Sequence, residues 1–493
     1  MWDGILTGLE TALTLTNLLW VLVGCAAGTV IGILPGLGPI TAIALMIPVS
    51  YNLDPAGGLI MMAGVYYGAV FGGSTSAILI NAPGVASTVA TSFDGYPMAR
   101  EGRAGRALAI AAYASFAGGT LGAVALMLFA GYLAALALAF QSPEYALLLT
   151  LALSSVVVFA PRGQRLPGLA TLLLGLMLGT VGTDQLAGVQ RFTLGRLDLA
   201  DGIPFVIIVM STFALAEAFR MVLSDGPISA PQGKGLRAGE LRIPLAEARP
   251  LARVVGRSSL LGFLVGVLPG AGATLASFFA YDLEKRIGDG SREAGVAAPE
   301  AANNAASTGS FVPLLTLGIP GSGTTAVLLG VMLSYGLQPG PRLLTEQPEV
   351  FWGVIVSMYL GNLFLLGLNL PFIPYLARLI NLPPKVLIPL ILGFATLGVY
   401  LTTLNPFDLI VMLGLALMAL ALRWFGFPLA PLLLGFILSG LLEENLRRTV
   451  LLYDGRVFFL LERPAVVAIG TITLVVWLLP LWQRLRARSG ADG

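Results

Sequence analysis

Gly32-Ile33-Leu34-Pro35-Gly36-Leu37-Gly38, with Thr41 after it, is a helix-breaking stretch that recurs as Gly266-Val267-Leu268-Pro269-Gly270-Ala271-Gly272, with Thr274 after it. Pro lacks a backbone N–H and Gly tolerates positive φ, so each Pro-Gly favours the end of a helix. About fifty residues after each copy comes another Pro-Gly with two hydroxyls behind it, first Pro83-Gly84 with Ser87 and Thr88, then Pro320-Gly321 with Thr324 and Thr325. Paired breaks in two halves of a membrane chain indicate a binding region.

The composition is that of a membrane protein. The 493 residues are 56% hydrophobic and only 11% charged, whereas a soluble domain carries roughly 25% charged residues. Apolar runs of about 20 residues, long enough to span a bilayer, recur along the chain. The net charge of +2 comes from short basic clusters between these runs. It therefore gives no indication of nucleic acid binding.

Several classes of chemistry are excluded by residues that the sequence lacks. Cys25 is the single cysteine, so neither an internal disulfide nor a cysteine zinc site can form. Histidine is absent, which excludes a Ser-His-Asp triad, an imidazole metal site and a histidine proton relay. No Gly-x-x-x-x-Gly-Lys-Ser/Thr motif for ATP occurs. We therefore expect no cofactor, and no metal other than Na⁺.

The duplication extends beyond the two motifs. Gly28, Gly32 and Gly36, shifted by 234 positions, coincide with Gly262, Gly266 and Gly270, and small residues at this spacing let helices approach closely. The prediction is an all-α polytopic membrane protein made of two homologous repeats, residues 12–225 and 258–482. Each repeat would have about five or six spans, with broken or re-entrant helices at the Pro-Gly motifs. From similar carriers we expect the repeats to be inverted.

The polar connection at 226–257 is predicted to be a basic cytoplasmic linker, and residues 483–493 a C-terminal tail. Arg447 and Arg448 lie before the last span and oppose a simple charge-based topology, so the orientation of the termini stays open. The charged stretch from Tyr281 to Arg292 is predicted to be a solvated loop.

The candidate substrate site comprises the four broken segments, where glycine N–H groups, helix dipoles, hydroxyls and amides could hold a carboxylate without Arg or Lys. Its predicted substrate-binding residues are Pro35, Gly36, Gly38, Thr41, Ser74, Thr75, Ser76, Asn81, Pro83, Gly84, Ser87, Thr88, Pro269, Gly270, Gly272, Thr274, Asn303, Asn304, Pro320, Gly321, Thr324 and Thr325. Oxygen ligands for a coupling ion are predicted at Asn304, Ser307, Thr308 and Thr316. The alternative is that these residues are tight loops and interhelical hydrogen bonds.

Two acidic residues within apolar surroundings have structural alternatives. Glu300 follows Pro299 and is either a ligand or, the favoured interpretation, an acid at the N-terminus of the Asn303-Asn304 helix. Glu217 lies close enough to Arg220 to form a structural ion pair.

The Pro-Gly motifs, the segments 68–88 and 300–325, and the late stretch Glu443-Glu444-Asn445-Leu446-Arg447-Arg448 resemble the large membrane subunit of tripartite tricarboxylate transporters. The resemblance covers essentially the whole chain. It implies a bacterial inner-membrane protein that works with a small membrane subunit of about four spans and a periplasmic substrate-binding protein. It further implies secondary import of a di- or tricarboxylate such as citrate, driven by a Na⁺ or H⁺ gradient.

Two other functions are compatible with the same residues. One is a stand-alone carboxylate carrier or channel without a binding protein. The other is an intramembrane enzyme, which the absence of histidine and of a paired acid cluster disfavours, so that no catalytic residue is predicted.

Overall fold

The chain is mostly helical in the computed structural model, which describes residues 2–34, 36–184, 187–223, 243, 245–270, 272–288, 290–379, 383–453 and 463–489. The helices of the N-terminal half are α1 (Trp2–Ala12), α2 (Leu15–Ile33), α3 (Pro39–Ser50), α4 (Pro55–Ile80), α5 (Val89–Arg100), α6 (Ala104–Ala137), α7 (Ser142–Val158), α8 (Arg165–Leu178), α9 (Phe205–Val209) and α10 (Ala216–Leu223). A π-helix, Met210–Leu215, joins α9 to α10, and 3₁₀ turns occupy Ala86–Thr88, Arg162–Gln164 and Leu197–Leu199.

The C-terminal half repeats the alternation of long and short helices. Its helices are α11 (Leu245–Val267), α12 (Gly272–Ile287), α13 (Arg292–Gly309), α14 (Phe311–Leu317), α15 (Gly323–Ser334), α16 (Pro341–Glu346), α17 (Pro348–Leu379), α18 (Pro384–Thr403), α19 (Pro406–Trp424), α20 (Ala430–Leu452) and α21 (Pro464–Ser489). One small antiparallel ribbon, β1 (Gly182–Thr183) with β2 (Gln190–Arg191), departs from the all-α prediction within the described residues.

Eight helices among the described residues are long and apolar enough to cross a bilayer, and the protein is a multi-pass membrane protein. These spans are Leu15–Ile33, Pro55–Ile80, Ala104–Ala137, Phe205–Leu223, Ala248–Val267, Pro348–Phe372, Lys385–Thr403 and Pro406–Trp424. Shorter apolar helices are Pro39–Ser50, Ser142–Val158, Arg165–Leu178, Gly323–Ser334 and Pro464–Leu478. Two of these short helices, Pro39–Ser50 and Gly323–Ser334, follow a Pro-Gly break.

Glycine rows bring the helix pairs together as the sequence predicted. A Cβ on Gly28 or Gly32 of α2 would overlap the backbone of Val65 or Ala69 in α4. In the second half, a Cβ on Gly262 or Gly266 of α11 would overlap the backbone of α13. The glycines therefore allow backbone-to-backbone contact, which dispersion and weak hydrogen bonds stabilise where lipid offers no hydrophobic driving force.

The late segments of the two halves pack against each other reciprocally. Gly175 of α8 lies on the carbonyl of Leu432, and Gly435 of α20 lies on the carbonyl of Leu172. The ribbon at the end of α8 is tied to α20 by charge, because Asp184 pairs with Arg447 at 2.7 Å. Asp184 therefore compensates the charge of Arg447, which lies near the C-terminal end of α20.

Three expectations need correction. Residues 281–287 are not a solvated loop: they continue α12, and Lys285 pairs with Asp94 at 2.8 Å. Residues 245–257 of the predicted linker are already part of α11, while 226–242 and 244 lie outside the described residues, as do 490–493 of the tail. Glu300 does not begin a helix, because α13 starts at Arg292 and includes Pro299.

Candidate functional site

The first Pro-Gly motif separates α2 from α3. Gly36 has φ 86° and lies against the side chains of Glu217 and Arg220, whose ion pair has a closest distance of 2.5 Å. Thr41, in the first turn of α3, donates to the carbonyl of Phe213 in the π-helix at 3.3 Å. Gly38 caps α3, and Pro35 lies outside the described residues. The motif is therefore a glycine turn anchored to the π-helix segment.

The predicted Glu217–Arg220 pair is confirmed, and it is part of a larger cluster. Arg423 of α19 also pairs with the buried Glu217 and donates to the carbonyl of Thr212 at 3.3 Å. A π-helix shifts its hydrogen-bond register and leaves carbonyls for other donors. Here two of those carbonyls are taken by Thr41 and Arg423.

The first break after α4 is a compact turn. α4 ends at Asn81 in the left-handed conformation with φ 53°, and the chain then passes the half-buried Pro83. The Gly84 N–H donates to Ser76 Oγ at 3.0 Å, while a Cβ on Gly84 would overlap the carbonyl oxygen of Gly32. Thr88 donates to the carbonyl of Val85 at 2.9 Å, whereas the buried Ser87 hydroxyl has no partner within the described ranges.

A backbone hydrogen bond joins the second Pro-Gly motif, at Gly270, to the second break, at Gly321. The Gly270 N–H donates to the carbonyl of Gly321 at 3.1 Å, and Gly270 has φ 79°, close to the 86° of Gly36. α14 ends at Gly318, which is left-handed like Asn81 at the corresponding position of the first half. Pro269, Gly272 and Thr274 flank the turn, with Gly272 beginning α12. The two halves therefore share a positive φ at Gly36 and Gly270 and at Asn81 and Gly318, whereas Gly38 has φ −79° and Gly272 has φ 61°.

Hydroxyls restart the helix after the second break. Ser322 and Thr325 form a capping box, with the Thr325 N–H donating to Ser322 Oγ at 3.2 Å. This satisfies orphan N–H groups at the start of α15. Thr324 and Pro320 are buried beside it.

The four broken segments meet across the two halves. The turn at Ala86–Thr88 contacts α12, which follows the second motif, and α15 contacts α3, which follows the first motif. Gly323 in the second break approaches Ile40, immediately after the first motif. Segments that carry predicted site residues in the two halves of the chain therefore contact each other.

Two unpartnered amides lie on α13, the helix that contacts the turn at Ala86–Thr88. Asn303 and Asn304 are completely buried, and neither side-chain atom of Asn303 has a hydrogen-bond partner among the described residues. Asn304 donates to the carbonyl of Glu300 at 3.0 Å, but its Oδ1 is unpartnered. Buried polar groups without partners are rare and call for an explanation such as a ligand or ion.

The hydroxyls predicted to bind the coupling ion donate hydrogen bonds within their own helices. Ser307, Thr308 and Thr316 donate to the carbonyls four residues earlier, at 3.0, 3.1 and 2.7 Å. These bonds use the hydroxyl hydrogens and leave the oxygen lone pairs for a cation.

Four further residues belong to the polar region but escape sequence reasoning. Ser115 and Thr91 donate to the Glu300 carboxylate, as does the predicted Ser74. Asn362 and Asn369 are buried in α17 with unpartnered side-chain oxygens. An amide within an apolar run is the signal that could have revealed Asn362 and Asn369.

Two cavities are relevant to ligand binding. A small one of about 10 Å³ lies beside Ser74, Thr75, Ser115 and Asn369. A larger one of about 360 Å³ lies where the ends of α8 and α15 face α20. Its charged lining residue is Asp201, which disfavours an anionic occupant.

The comparison with protein families identifies one family. Residues 18–434 match the model of the tripartite tricarboxylate transporter TctA family. An Agrobacterium vitis protein described as an uncharacterized 52.8 kDa protein in the TAR-I ttuC' 3' region is 43% identical over 485 residues, covering 96% of this chain and 95% of that protein. An uncharacterized protein in the TAR-II ttuC' 3' region of the same organism is 42% identical over 234 residues, covering 46% of this chain and 96% of that protein.

No solved structure matches this chain. The family match nevertheless spans most of the sequence, including both Pro-Gly motifs and both breaks. The chain therefore belongs to the tripartite tricarboxylate transporter TctA family.

Proposed function

We propose that this protein is the large transmembrane subunit of a binding-protein-dependent secondary transporter, importing a di- or tricarboxylate with a Na⁺ or H⁺ gradient. The observation that carries the proposal is the meeting of four broken segments beside buried amides that lack partners. Irregular backbone at membrane depth is tolerated only in protein or around a cavity. Here it comes with polar groups that a ligand would satisfy.

Substrate carboxylates would bind Asn303 and Asn304 together with the start of α3, which has no side-chain cap, because the N–H groups of Gly84 and Gly270 are already engaged. Each amide offers two N–H donors, and a restarting helix adds its dipole. Arg220 lies close to Gly36, but its guanidinium is already paired with Glu217. The proposal therefore relies on backbone and amide donors rather than on a basic side chain.

An inverted arrangement of the two halves is part of this proposal. Glu101, after the end of α5, pairs with Arg292 at the start of α13. At the opposite end Tyr335, after α15, donates to the carbonyl of Ser50, just before α4. We call residues 55–100, from α4 to α5, and residues 292–334, from α13 to α15, the crossing segments of the two halves. The end of each crossing segment thus lies beside the start of the other. Antiparallel repeats would produce these contacts, and inverted repeats give alternating access in many carriers.

The partners proposed are a small membrane subunit of about four spans and a periplasmic substrate-binding protein, in a bacterial inner membrane. Membership of a family named for tripartite transporters supports the existence of partner subunits. The basic linker at 226–257 would face the cytoplasm according to the positive-inside bias.

Reconstitution tests the function. The purified chain would be placed in liposomes with its small subunit, and uptake of labelled citrate and a panel of di- and tricarboxylates measured under Na⁺ or pH gradients. We expect accumulation that requires both the binding protein and one gradient. Accumulation without the binding protein would indicate a stand-alone carrier, equilibration without accumulation a channel, and chemical conversion an enzyme.

A further inference from the structure

Glu300 is a buried carboxylate held by three helices of the N-terminal half. Its side chain is 0% exposed, and it accepts hydrogen bonds from Ser74 of α4 at 2.7 Å, Thr91 of α5 at 2.5 Å and Ser115 of α6 at 2.9 Å. No described Lys or Arg pairs with it. Neutral donors therefore satisfy the hydrogen bonds of this carboxylate, but no described basic side chain compensates its negative charge.

The charged side chains on the neighbouring helices are engaged with one another. Asp94 of α5 pairs with Lys285 of α12, and Glu284 of α12 pairs with Arg257 of α11. Glu293, at the start of α13, pairs with Arg103 at 2.9 Å. None of these pairs supplies the counter-charge that a buried carboxylate needs in a low-dielectric interior. A proton or a bound cation must provide it.

A small cavity, lined by two of the hydrogen-bond partners of Glu300, favours a cation over a proton as the counter-charge. Ser74 and Ser115, which bind the carboxylate, also line the cavity, together with Thr75 and Asn369. Asn369 is 2% exposed; its Nδ2 donates to the carbonyl of Leu365 at 2.9 Å, but its Oδ1 has no partner in the part of the chain that the structure describes. A proton on Glu300 would not require this second oxygen at the cavity. A cation would use both the negative charge of Glu300 and the side-chain oxygen of Asn369.

We propose that this cavity binds one sodium ion. Its direct ligands would be Asn369 Oδ1 and the hydroxyl oxygens of Ser74, Thr75 and Ser115, which line the cavity and are hard oxygen donors. Glu300 would supply the counter-charge through its hydrogen bonds with Ser74 and Ser115. The volume of about 10 Å³ accommodates a single water-sized occupant and excludes a substrate. This site differs from the predicted ligands Ser307, Thr308 and Thr316, which lie farther along α13 and on α14.

The ligands and the counter-charge come from both halves of the chain. Ser74 and Ser115 belong to α4 and α6, whereas Glu300 and Asn369 belong to α13 and α17. Sodium would therefore stabilise the contact between the halves, and a coupling role for it rests on the proposed transport function. Binding itself does not depend on that function.

The test uses purified full-length protein in detergent and measures ²²Na⁺ binding together with the melting temperature in NaCl or choline chloride at equal ionic strength. We expect Na⁺ to bind and to raise the melting temperature of the wild type. Glu300→Gln should abolish both effects, and Asn369→Ala should weaken Na⁺ binding roughly tenfold. Asp282→Asn, which removes an acid from an exposed pair with Arg286, should bind Na⁺ like the wild type.

Sodium binding retained by Glu300→Gln would overturn the site, as would a wild type that is stabilised by acid but not by Na⁺. If Glu300→Gln does not fold, Ser115→Ala and Asn369→Ala decide the question by their Na⁺ affinities. Uptake measured in parallel separates the two proposals. Intact Na⁺ binding without carboxylate uptake refutes the transport function alone, and uptake with no Na⁺ binding refutes the site alone.

Discussion

Asn303 is the residue at which a functional and a structural role differ most clearly. A side chain that contributes hydrogen bonds to the fold destabilises the protein when it is removed. Neither amide atom of Asn303 has a partner among the described residues, so its removal takes no visible bond from the fold. Its polar atoms are available to a ligand.

We therefore expect Asn303→Ala to reduce uptake by roughly 5- to 150-fold, since a lost buried partner costs about 1–3 kcal/mol, while thermal stability stays at or above the wild-type value. Asn304→Ala should lower uptake similarly and also lose the bond to the carbonyl of Glu300. Uptake per amount of folded protein is the measurement, with Ser154→Ala, whose hydroxyl bonds only its own helix, as control. Wild-type uptake by both Asn variants would make the amides structural.

Gly84 has a packing role that its sequence context did not reveal. The Pro-Gly motif alone suggests that a side chain there would obstruct the ligand, yet a Cβ on Gly84 would overlap the carbonyl of Gly32. We expect Gly84→Ala to destabilise the folded protein by about 1–3 kcal/mol through overpacking. Gly131→Ala, where a Cβ meets nothing within 4 Å, should not. The folded fraction after membrane extraction checks both, and equal fractions would contradict the packing role.

At the scale of elements, the π-helix between α9 and α10 connects the first Pro-Gly motif to α19. Thr41 and Arg423 donate to carbonyls of this segment, and Glu217 of α10, which follows the segment, pairs with Arg423. The π-helix thus replaces part of its own hydrogen bonding by contacts to two other elements. This arrangement fixes the position of the turn at Gly36.

Breaking the Glu217 cluster should loosen these elements together. Glu217 is 1% exposed, but its partners Arg220 and Arg423 are 49% and 24% exposed, so its removal should cost less than the value of about 3–5 kcal/mol for a fully buried pair. We expect Glu217→Gln to lower the melting temperature. Asp282→Asn, in a pair with 60% and 73% exposed side chains, should change it little. Similar melting temperatures for the two variants would show that the cluster is not structural.

At the scale of the whole molecule, the proposed inverted arrangement of the halves predicts which side of the membrane each of two exposed residues faces. In a Cys25→Ala background, a cysteine at exposed Glu101 and one at exposed Gln338 should react with a membrane-impermeant maleimide from opposite sides of the membrane. The reason is that Glu101 follows the crossing segment of one half and Gln338 follows that of the other. Labelling in right-side-out and inverted vesicles is the measurement. Reaction of both from the same side would rule out inverted halves.

The sequence by itself determined the breaks and the small faces of α2 and α11. Both are local properties: Pro-Gly after an apolar run ends the helix at these motifs, although Pro167-Gly168 lies within the first turn of α8, and glycines four residues apart make one face of a helix small. Hence the ends of α2, α4, α11 and α14, and the small faces at Gly28 and Gly262, follow from short stretches of chain, whereas the tertiary structure decided that α4 and α13 pack against them.

Only the tertiary structure decided the surroundings of Glu300. Its hydroxyl partners Ser74, Thr91 and Ser115 are 226, 209 and 185 residues away along the chain. No local pattern specifies such pairings, and Pro299 wrongly indicated a helix start because α13 continues through it. A buried charge is defined by the groups that surround it in space, so its role became visible only when the two halves had been brought together.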